Sequence, residues 1–148
     1  MELRRATPTD APVIAAMESE YFSDGWSEKD ILSYISSEMA MCYSAISDGE
    51  LIGYILGRKI IPEGEIYRVA VKKEKRERGI GSRLLAYAMK CECEDGVESL
   101  FLEVREENAA ARRLYSSAGF AEIGFRKNYY KNPDDNAIIM FYGTKCQE

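Results

Sequence analysis

Two side chains in the second half of the chain could move protons. Apolar residues alternate through residues 100–104, so Glu103 points away from them, near the carboxyl end of a predicted strand. Ligands of open α/β sheets bind at that end of the strands, and a carboxylate there could act as a general base. Tyr115 follows on the next predicted helix, where its phenol could act as an acid. The alternative for both is structural, because an acid also suits a strand end and a tyrosine on an apolar helix stripe also suits a core.

Histidine does not occur among the 148 residues. Its absence excludes Ser-His-Asp triads, Cys-His dyads and His-ligated zinc or haem. Proton transfer must therefore use Glu, Asp, Tyr, Lys, Cys or water. The cysteines form no C-x-x-C pair, and we expect all of them to be plain thiols of a reducing cytosol. They are Cys42, Cys91, Cys93 and Cys146. The sequence predicts a cytoplasmic location and no metal site.

A cluster of positive charge precedes a glycine pair on a chain that is acidic overall. The chain has 20 Lys and Arg residues against 25 Asp and Glu residues, which gives a net charge of −5. Six of the cations fall within residues 72–83: Lys72, Lys73, Lys75, Arg76, Arg78 and Arg83. Gly79 and Gly81 then begin a predicted helix, whose free N–H groups and dipole favour an anion. This combination predicts a site for a di- or triphosphate, although neither the P-loop nor the Gly-x-Gly-x-x-Gly pattern is present. A solvated loop before a helix is the alternative.

Length and composition predict a single domain over residues 1–148. Apolar residues make up 46% of the chain and charged residues 30%, which suits a globular protein with a core of its own. The acidic balance argues against nucleic acid as the main partner. No apolar run follows the charges of residues 1–5, so no signal peptide is expected. No run of about 18 apolar residues is present to cross a membrane.

Strands and helices alternate along the chain. Strands are predicted at residues 2–5, 41–46, 51–61, 65–71, 100–104, 121–127 and 137–144. Helices are predicted to begin after Thr9-Asp10, after Ser27, at Gly79 and at Asn108, the last one ending at Gly119. The crossover helix predicts that strands 65–71 and 100–104 are parallel, and residues 128–136 are predicted to form a polar loop. The fold class is α+β, or a mixed three-layer α/β domain.

This order of elements and motifs resembles the GNAT N-acetyltransferase superfamily. Residues 76–81, Arg-Glu-Arg-Gly-Ile-Gly, match its Arg/Gln-x-x-Gly-x-Gly/Ala coenzyme A signature. The segments at 102–105, 108–111 and 114–115, with Trp-Ser-Glu at 26–28 and Tyr-Tyr at 129–130, are similar to its RimI branch of protein Nα-acetyltransferases. The resemblance covers about residues 20–141. It implies the GNAT fold, a central mixed seven-stranded sheet flanked by about four helices, with acetyl-CoA as co-substrate and no metal.

The resemblance also implies a role for individual residues. Glu103 is expected to be the general base and Tyr115 the general acid, in a direct attack of a neutral amine on the thioester. Trp26, Tyr129 and Tyr130 are expected to line the site of a peptide N-terminus, for which a ribosomal protein is the implied source. The residues expected to bind acetyl-CoA are Val69, Ala70, Val71, Arg76, Glu77, Arg78, Gly79, Ile80, Gly81, Ser82, Asn108 and Tyr115.

Other functions stay open at the level of sequence. One is acetyl transfer to a small-molecule amine, a second is a non-catalytic module that binds acyl-CoA, and a third is an RNA-associated protein that uses the basic loop. The chain also departs from the RimI pattern at three positions. Gly25 replaces a proline, Asn136 replaces an acid, and Arg68 adds a cation beside the coenzyme strand. These departures bear on the choice of acceptor rather than on the coenzyme site.

Overall fold

A computed structural model of the protein describes residues 1–143. It contains seven strands, four α-helices and two short 3-10 turns, Pro8–Asp10 and Lys73–Lys75. The strands are β1 (Glu2–Arg5), β2 (Ala40–Ser47), β3 (Glu50–Ile60), β4 (Glu63–Val71), β5 (Ser99–Arg105), β6 (Ala121–Tyr130) and β7 (Asp135–Gly143). The helices are α1 (Ala11–Tyr21), α2 (Glu28–Ile35), α3 (Ile80–Glu94) and α4 (Ala109–Ser117). Every predicted helix and strand is therefore present.

The strands form one mixed sheet in the order β1-β2-β3-β4-β5-β7-β6. β4 and β5 are parallel, as the crossover helix α3 between them predicts, and the other described pairs are antiparallel. β7 lies between β5 and β6 in this order. After α4 the chain therefore forms β6 at the edge of the sheet, and β7 then returns to pair with β5. This order places the β6–β7 hairpin beside the carboxyl end of β5.

Helices cover both faces of the sheet and give the molecule three layers. Residues of α3 and α4 pack on one face in a cluster that includes Leu84, Leu102 and Tyr115. Residues of α1 and α2 pack on the other face, in a cluster that includes Ile14 and Ile31. The predicted class, a seven-stranded mixed sheet flanked by four helices, is confirmed.

The predicted helix boundaries follow from local polar residues. The Ser27 side chain accepts a hydrogen bond from the Asp30 N–H at 3.1 Å and so begins α2. Asn108 Oδ1 accepts from the Ala111 N–H at 3.1 Å and begins α4 in the same way. Gly119 follows the end of α4 with a φ of 104°, a conformation that glycine adopts without strain. Asp48 and Gly49 turn the β2–β3 hairpin, as predicted.

Two predictions about local structure are wrong. The polar loop predicted at residues 128–136 is short, because β6 continues to Tyr130 and β7 begins at Asp135, and these two residues pair. Pairing between strands here outweighs the polar composition. Cys42 and Cys91 are free thiols, whereas Cys93 is disulfide-bonded, and spacing along one helix carries no information about partners that the fold brings close. Cys146 and Thr144 lie outside the described residues.

Within residues 1–143, no helix is both long and apolar enough to cross a membrane.

Candidate active site

The site is built where two parallel strands separate. β4 and β5 pair from Glu63 with Ser99 to Ile66 with Leu102, and their pairing ends there. Beyond this point, β4 stays paired with β3 and β5 stays paired with β7. The two carboxyl ends therefore diverge into a fork, which exposes one main-chain edge of each strand. Open α/β sheets bind ligands at such carboxyl ends.

The main-chain groups of Val69 and Val71 face the fork. The Val71 carbonyl accepts a hydrogen bond from Arg76 Nε at 2.9 Å, and the Val69 backbone contacts the Tyr115 hydroxyl. The main-chain groups of the alternate residues point to β3 instead. For example, the Lys72 N–H donates a hydrogen bond to the Ile52 carbonyl at 2.8 Å. Val69 and Val71 can therefore offer main-chain groups to a ligand in the fork. Ala70 lies between them and directs its main-chain groups to β3.

The glycine loop opens onto the start of α3. Gly79 has a φ of 76°, and a Cβ atom there would meet no other atom within 4 Å. Gly81 is less constrained, since its Cβ would make only ordinary contacts with Leu114 and Val69, at 3.8 Å. The first N–H groups of a helix have no partner within the helix. The space above Gly79 can therefore hold an anion against these groups.

Arg76 braces the basic loop, although the residue is exposed. Its Nε donates to β4, and its guanidinium carbon lies 4.8 Å from the centre of the Tyr21 ring in α1. The Tyr21 hydroxyl in turn accepts a hydrogen bond from the Lys73 N–H at 3.0 Å. These contacts fix the position of the loop relative to the fork.

The other predicted coenzyme residues surround this loop. Glu77 and Arg78 are exposed, whereas Ile80 is buried beneath the helix start. Ser82 lines a groove of about 460 Å³ between α3 and α4. Asn108 stands at the start of α4, where its side-chain oxygen is committed to the cap.

Glu103 reaches the opposite face of the sheet from α3 and α4. Its side chain is 18% exposed, and its Oε1 accepts a hydrogen bond from the Tyr129 hydroxyl at 3.3 Å. Its Oε2 lies 3.2 Å from Arg126 Nε, yet this oxygen is buried and makes no hydrogen bond to a described residue. Arg126 and Tyr129 therefore compensate the charge of this carboxylate.

Tyr115 approaches the fork from the other face. The side chain is 4% exposed, and its ring packs on Phe120 with centroids 5.8 Å apart. Burial raises the pKa of Tyr115 well above its ordinary range, and the nearby Tyr130 adds to this, while the Val69 backbone and the Arg68 cation oppose it. The phenol is therefore a group that stays protonated. Together with Glu103, it places a carboxylate and an acid on opposite sides of one opening in the sheet.

The loop between α1 and α2 packs Trp26 against Tyr67 of β4. The Trp26 ring lies 5.0 Å from Tyr34 and 5.7 Å from Tyr67, measured between centroids. The Trp26 N–H donates to Oε1 of the buried Glu18 at 3.1 Å. Gly25 has no room for a side chain, because a Cβ atom would lie 2.4 Å from the Glu18 carbonyl oxygen. This close approach gives a physical reason for glycine at that position.

The β6–β7 hairpin lies beside Glu103. Tyr129 and Tyr130 contact each other edge to face, with ring centroids 5.0 Å apart. Arg105 lies 4.5 Å from the Tyr130 ring centre, and Arg126 lies 5.4 Å from that of Tyr129. Of the three residues predicted to line a peptide site, Tyr129 contacts Glu103 and Tyr130, whereas Trp26 packs on Tyr34 and on Tyr67 of β4.

Sequence reasoning missed two further residues on the same face of the sheet as Glu103. Tyr67 on β4 contacts Trp26, and Glu65 on the same strand lies near Glu103, which together with burial raises the pKa of Glu65. Alternation of Glu65 and Tyr67 with the buried Ile66 is visible in the sequence. What the sequence does not show is that this face of β4 lies beside Glu103.

Arg68 was noted in the sequence as an extra cation, and the structure gives it a partner. It forms an ion pair with the buried Glu18 at 3.0 Å, and its guanidinium carbon lies 4.0 Å from the centre of the Phe22 ring. It thus ties the loop that carries Trp26 to β4. No group of three or more His, Cys, Asp or Glu side chains within residues 1–143 is placed to hold a metal ion.

Comparison with known proteins identifies the family. Residues 11–120 match the family model described as the acetyltransferase (GNAT) family. The chain belongs to the GNAT acetyltransferases. It is an acyltransferase that uses acetyl-CoA as its donor, and the fork and the helix start fit this ligand. The GNAT match spans α1 to the end of α4, which includes both Glu103 and Tyr115.

Individual GNAT relatives are similar to this chain over nearly its whole length. The chain is 33% identical to the [ribosomal protein bS18]-alanine N-acetyltransferase of Escherichia coli K12 over 134 residues, which is 89% of this chain and 90% of that protein. The crystal structure of the E. coli ribosomal-protein-S18-alanine N-acetyltransferase superimposes with a TM-score of 0.87 at 30% identity, covering 96% of this chain and 92% of that one. Ard1 from Thermoplasma volcanium gives a TM-score of 0.87 at 26% identity, covering 97% of each chain.

Proposed function

We propose that the protein transfers the acetyl group of acetyl-CoA to the N-terminal α-amine of a protein. The observation that carries the proposal is the position of Glu103, whose carboxylate contacts Tyr129 at 3.3 Å and Arg126 at 3.2 Å just beyond the point where β4 and β5 separate. An amine that approaches this carboxylate can donate a hydrogen bond to it. The E. coli relative that acts on a ribosomal-protein alanine supports the same class of acceptor. A ribosomal protein is thus a candidate acceptor, which would place the reaction in the cytoplasm.

Acetyl-CoA would bind across the fork. The open space at Gly79 and the N–H groups that begin α3 would hold the diphosphate, with the cations at Arg76 and Arg78 nearby. The pantetheine arm would follow the exposed edge of β4, past Val69. The N–H of Val71 would then donate to the thioester oxygen and stabilise the charge that develops there during attack.

The reaction would be a direct attack of the neutral amine on the thioester. Glu103 would accept a proton from the amine, and Tyr115 would donate one to the departing thiolate. An α-amine has a pKa near 8, so roughly a tenth of it is neutral at pH 7, compared with roughly one part in 2,500 of a lysine side chain. A carboxylate is therefore a sufficient base for an N-terminus.

Mass spectrometry of peptides incubated with acetyl-CoA tests the proposal. We expect a mass increase of one acetyl group on peptides that begin with alanine, located at the N-terminus by fragmentation. The same peptides with a formylated N-terminus and an internal lysine are the control, and they should stay unmodified. The proposal is wrong if small amines are acetylated with a far higher kcat/KM than any peptide.

A further inference from the structure

The hairpin of β6 and β7 contains a bulge just before its turn. Residues 127–129 of β6 lie opposite a single residue of β7, Asn136, between two regular pairs of the ladder. A bulge of this kind bends its strand and changes the direction of the side chains on it. The bulge includes Tyr129, whose hydroxyl donates a hydrogen bond to Glu103 at 3.3 Å. The geometry of the bulge therefore decides whether Tyr129 reaches the candidate base.

The Asn136 side chain bonds to both sides of this bulge. Its Oδ1 accepts a hydrogen bond from the Asn128 N–H at 2.8 Å, and Asn128 has a φ of 55°, which asparagine adopts more readily than most residues. Its Nδ2 donates to Glu106 Oε1 at 3.0 Å, just beyond the end of β5. The Asn136 carbonyl also accepts from the Glu106 N–H at 2.9 Å. One residue thus joins the bulge of β6 to the segment that follows β5.

These two contacts need a side chain that both accepts and donates. The main-chain N–H of Asn128 requires an acceptor, and the half-buried carboxylate of Glu106 is stabilised by a donor. An acid at position 136, as in the RimI pattern, would still accept from Asn128 but would set a second carboxylate against Glu106. Asp135 and Glu107 lie beside this pair, since the Glu107 N–H donates to Asp135 Oδ2 at 3.2 Å. The departure from the RimI pattern therefore has a physical reason in this chain.

A separate contact holds the turn of the same hairpin. Arg105, the last residue of β5, donates to the Lys131 carbonyl at 3.0 Å and to the Pro133 carbonyl at 2.7 Å. Its guanidinium carbon also lies 4.5 Å from the centre of the Tyr130 ring. The turn is thus attached to β5 independently of Asn136. A change at Asn136 should therefore loosen the bulge without releasing the whole hairpin.

We propose that Asn136 is a positioning residue for the acceptor side of the site. It holds the bulge against Glu106 and so fixes Tyr129 at Glu103, where the phenol orients the carboxylate that would take the proton from the amine. Asn136 itself contacts no reacting atom. The coenzyme loop lies on other elements of the fold, so Asn136 acts on the use of the acceptor and not on acetyl-CoA. This inference rests on the proposed function, which gives Glu103 its role toward the amine.

Two substitutions and their combination test the inference. Asn136→Asp removes the donor to Glu106, so we expect kcat/KM for a peptide to fall about tenfold, the effect of losing a hydrogen bond to a charged group. The KM for acetyl-CoA should change less than about twofold, since groups on other elements hold that ligand. Glu106→Gln keeps an oxygen for the Asn136 amide and should behave as the wild type. In the double variant the new amide donates to the new carboxylate, and kcat/KM for the peptide should return to within about twofold of the wild type.

Asn132→Asp is the matched control for the change from an amide to a carboxylate. Asn132 is exposed in the turn of the same hairpin, and both types of residue adopt its φ of 53°, so the kinetics of both substrates should stay unchanged. Two results would count against the inference: a double variant as impaired as Asn136→Asp, or equal losses for the peptide and for acetyl-CoA. If Asn136→Asp does not fold, the double variant must fold and match Glu106→Gln, and failure in either respect contradicts the pairing.

Amide hydrogen exchange tests the same contact without an acceptor. In Asn136→Ala the Asn128 N–H loses its acceptor and should exchange at least about tenfold faster than in the wild type. Unchanged exchange at Asn128 would overturn the inference whichever amine is the substrate. Wild-type protein that acetylates no peptide refutes the proposed function instead, and the variants are then compared with the amine that the enzyme acetylates.

Discussion

Removal of the Tyr115 hydroxyl should separate catalysis from binding. In Tyr115→Phe the ring keeps its packing on Phe120, at 5.8 Å, and loses one oxygen atom at the fork. A positioned general acid contributes on the order of a hundredfold or more to the rate. We therefore expect kcat to fall by at least about a hundredfold, which corresponds to roughly 3 kcal/mol of activation free energy. The affinity for acetyl-CoA should change by less than about threefold, since main-chain groups and the loop hold that ligand.

The cost to stability is smaller and can be measured independently. The buried hydroxyl contacts the Val69 backbone, so its removal costs about 1 kcal/mol of unfolding free energy. For a chain of 148 residues, this lowers Tm by about 2–4 °C. Tyr142→Phe is a matched control, because Tyr142 packs on the same Phe120 ring at 5.5 Å. It should keep a wild-type kcat.

Release of the free thiol, followed with a thiol reagent at saturating concentrations of both substrates, measures kcat. Titration calorimetry measures acetyl-CoA affinity, and thermal melting measures Tm. Because burial raises the pKa of Tyr115, its phenol stays protonated beyond the ordinary value of about 10, so the wild-type kcat should show no decline from this group as the assay pH approaches about 10. A fall in kcat of less than about threefold, or an equal fall in kcat and affinity, would refute the assignment of Tyr115 as the acid.

Two further substitutions test the coenzyme loop and the loop that carries Trp26. Gly79→Ala should weaken acetyl-CoA binding at least about tenfold by calorimetry, because a methyl group enters the anion space, at a strain cost of about 1–2 kcal/mol. Gly49→Ala, with a φ of 75° and equally open surroundings, should cost the same stability and leave affinity unchanged, and similar affinities in both variants would contradict the anion site. Glu18→Ala removes the buried acceptor of the Trp26 N–H and of an ion pair, so urea unfolding should show a loss of about 3–5 kcal/mol. The KM for the peptide should rise more than the KM for acetyl-CoA, whereas the exposed Glu20→Ala should change neither, and equal effects of the two variants would show that Glu18 has no such role.

Patterns over a few neighbouring residues were sufficient to predict the helices, the strands and part of the candidate site. Alternation in β5 separates Glu103 from the buried Leu102, and a side-chain cap at Asn108 begins α4. These patterns work because a strand or a helix start is decided by contacts between residues a few positions apart. The motif around Gly79 predicts the helix start for the same reason.

Strand order was not available from such patterns. β7 lies between β5 and β6, and this arrangement brings Tyr129 within 3.3 Å of Glu103. The extent of the β6–β7 hairpin was underestimated, because pairing of Tyr130 with Asp135 is a contact between strands rather than a local preference. The disulfide bond of Cys93 was missed because spacing along one helix does not show which residue the fold brings close to it.

The sequence by itself determined which groups could do the chemistry: a carboxylate at a strand end, a phenol on the next helix, and a basic loop before a glycine helix start. The tertiary structure decided where they meet. Only the separation of β4 from β5 after Ile66 opens the sheet between Glu103 and Tyr115, and only the register of these strands places Glu65 near Glu103. Strand pairing joins residues that are tens of positions apart, and a pattern read over a few neighbouring residues does not contain that information.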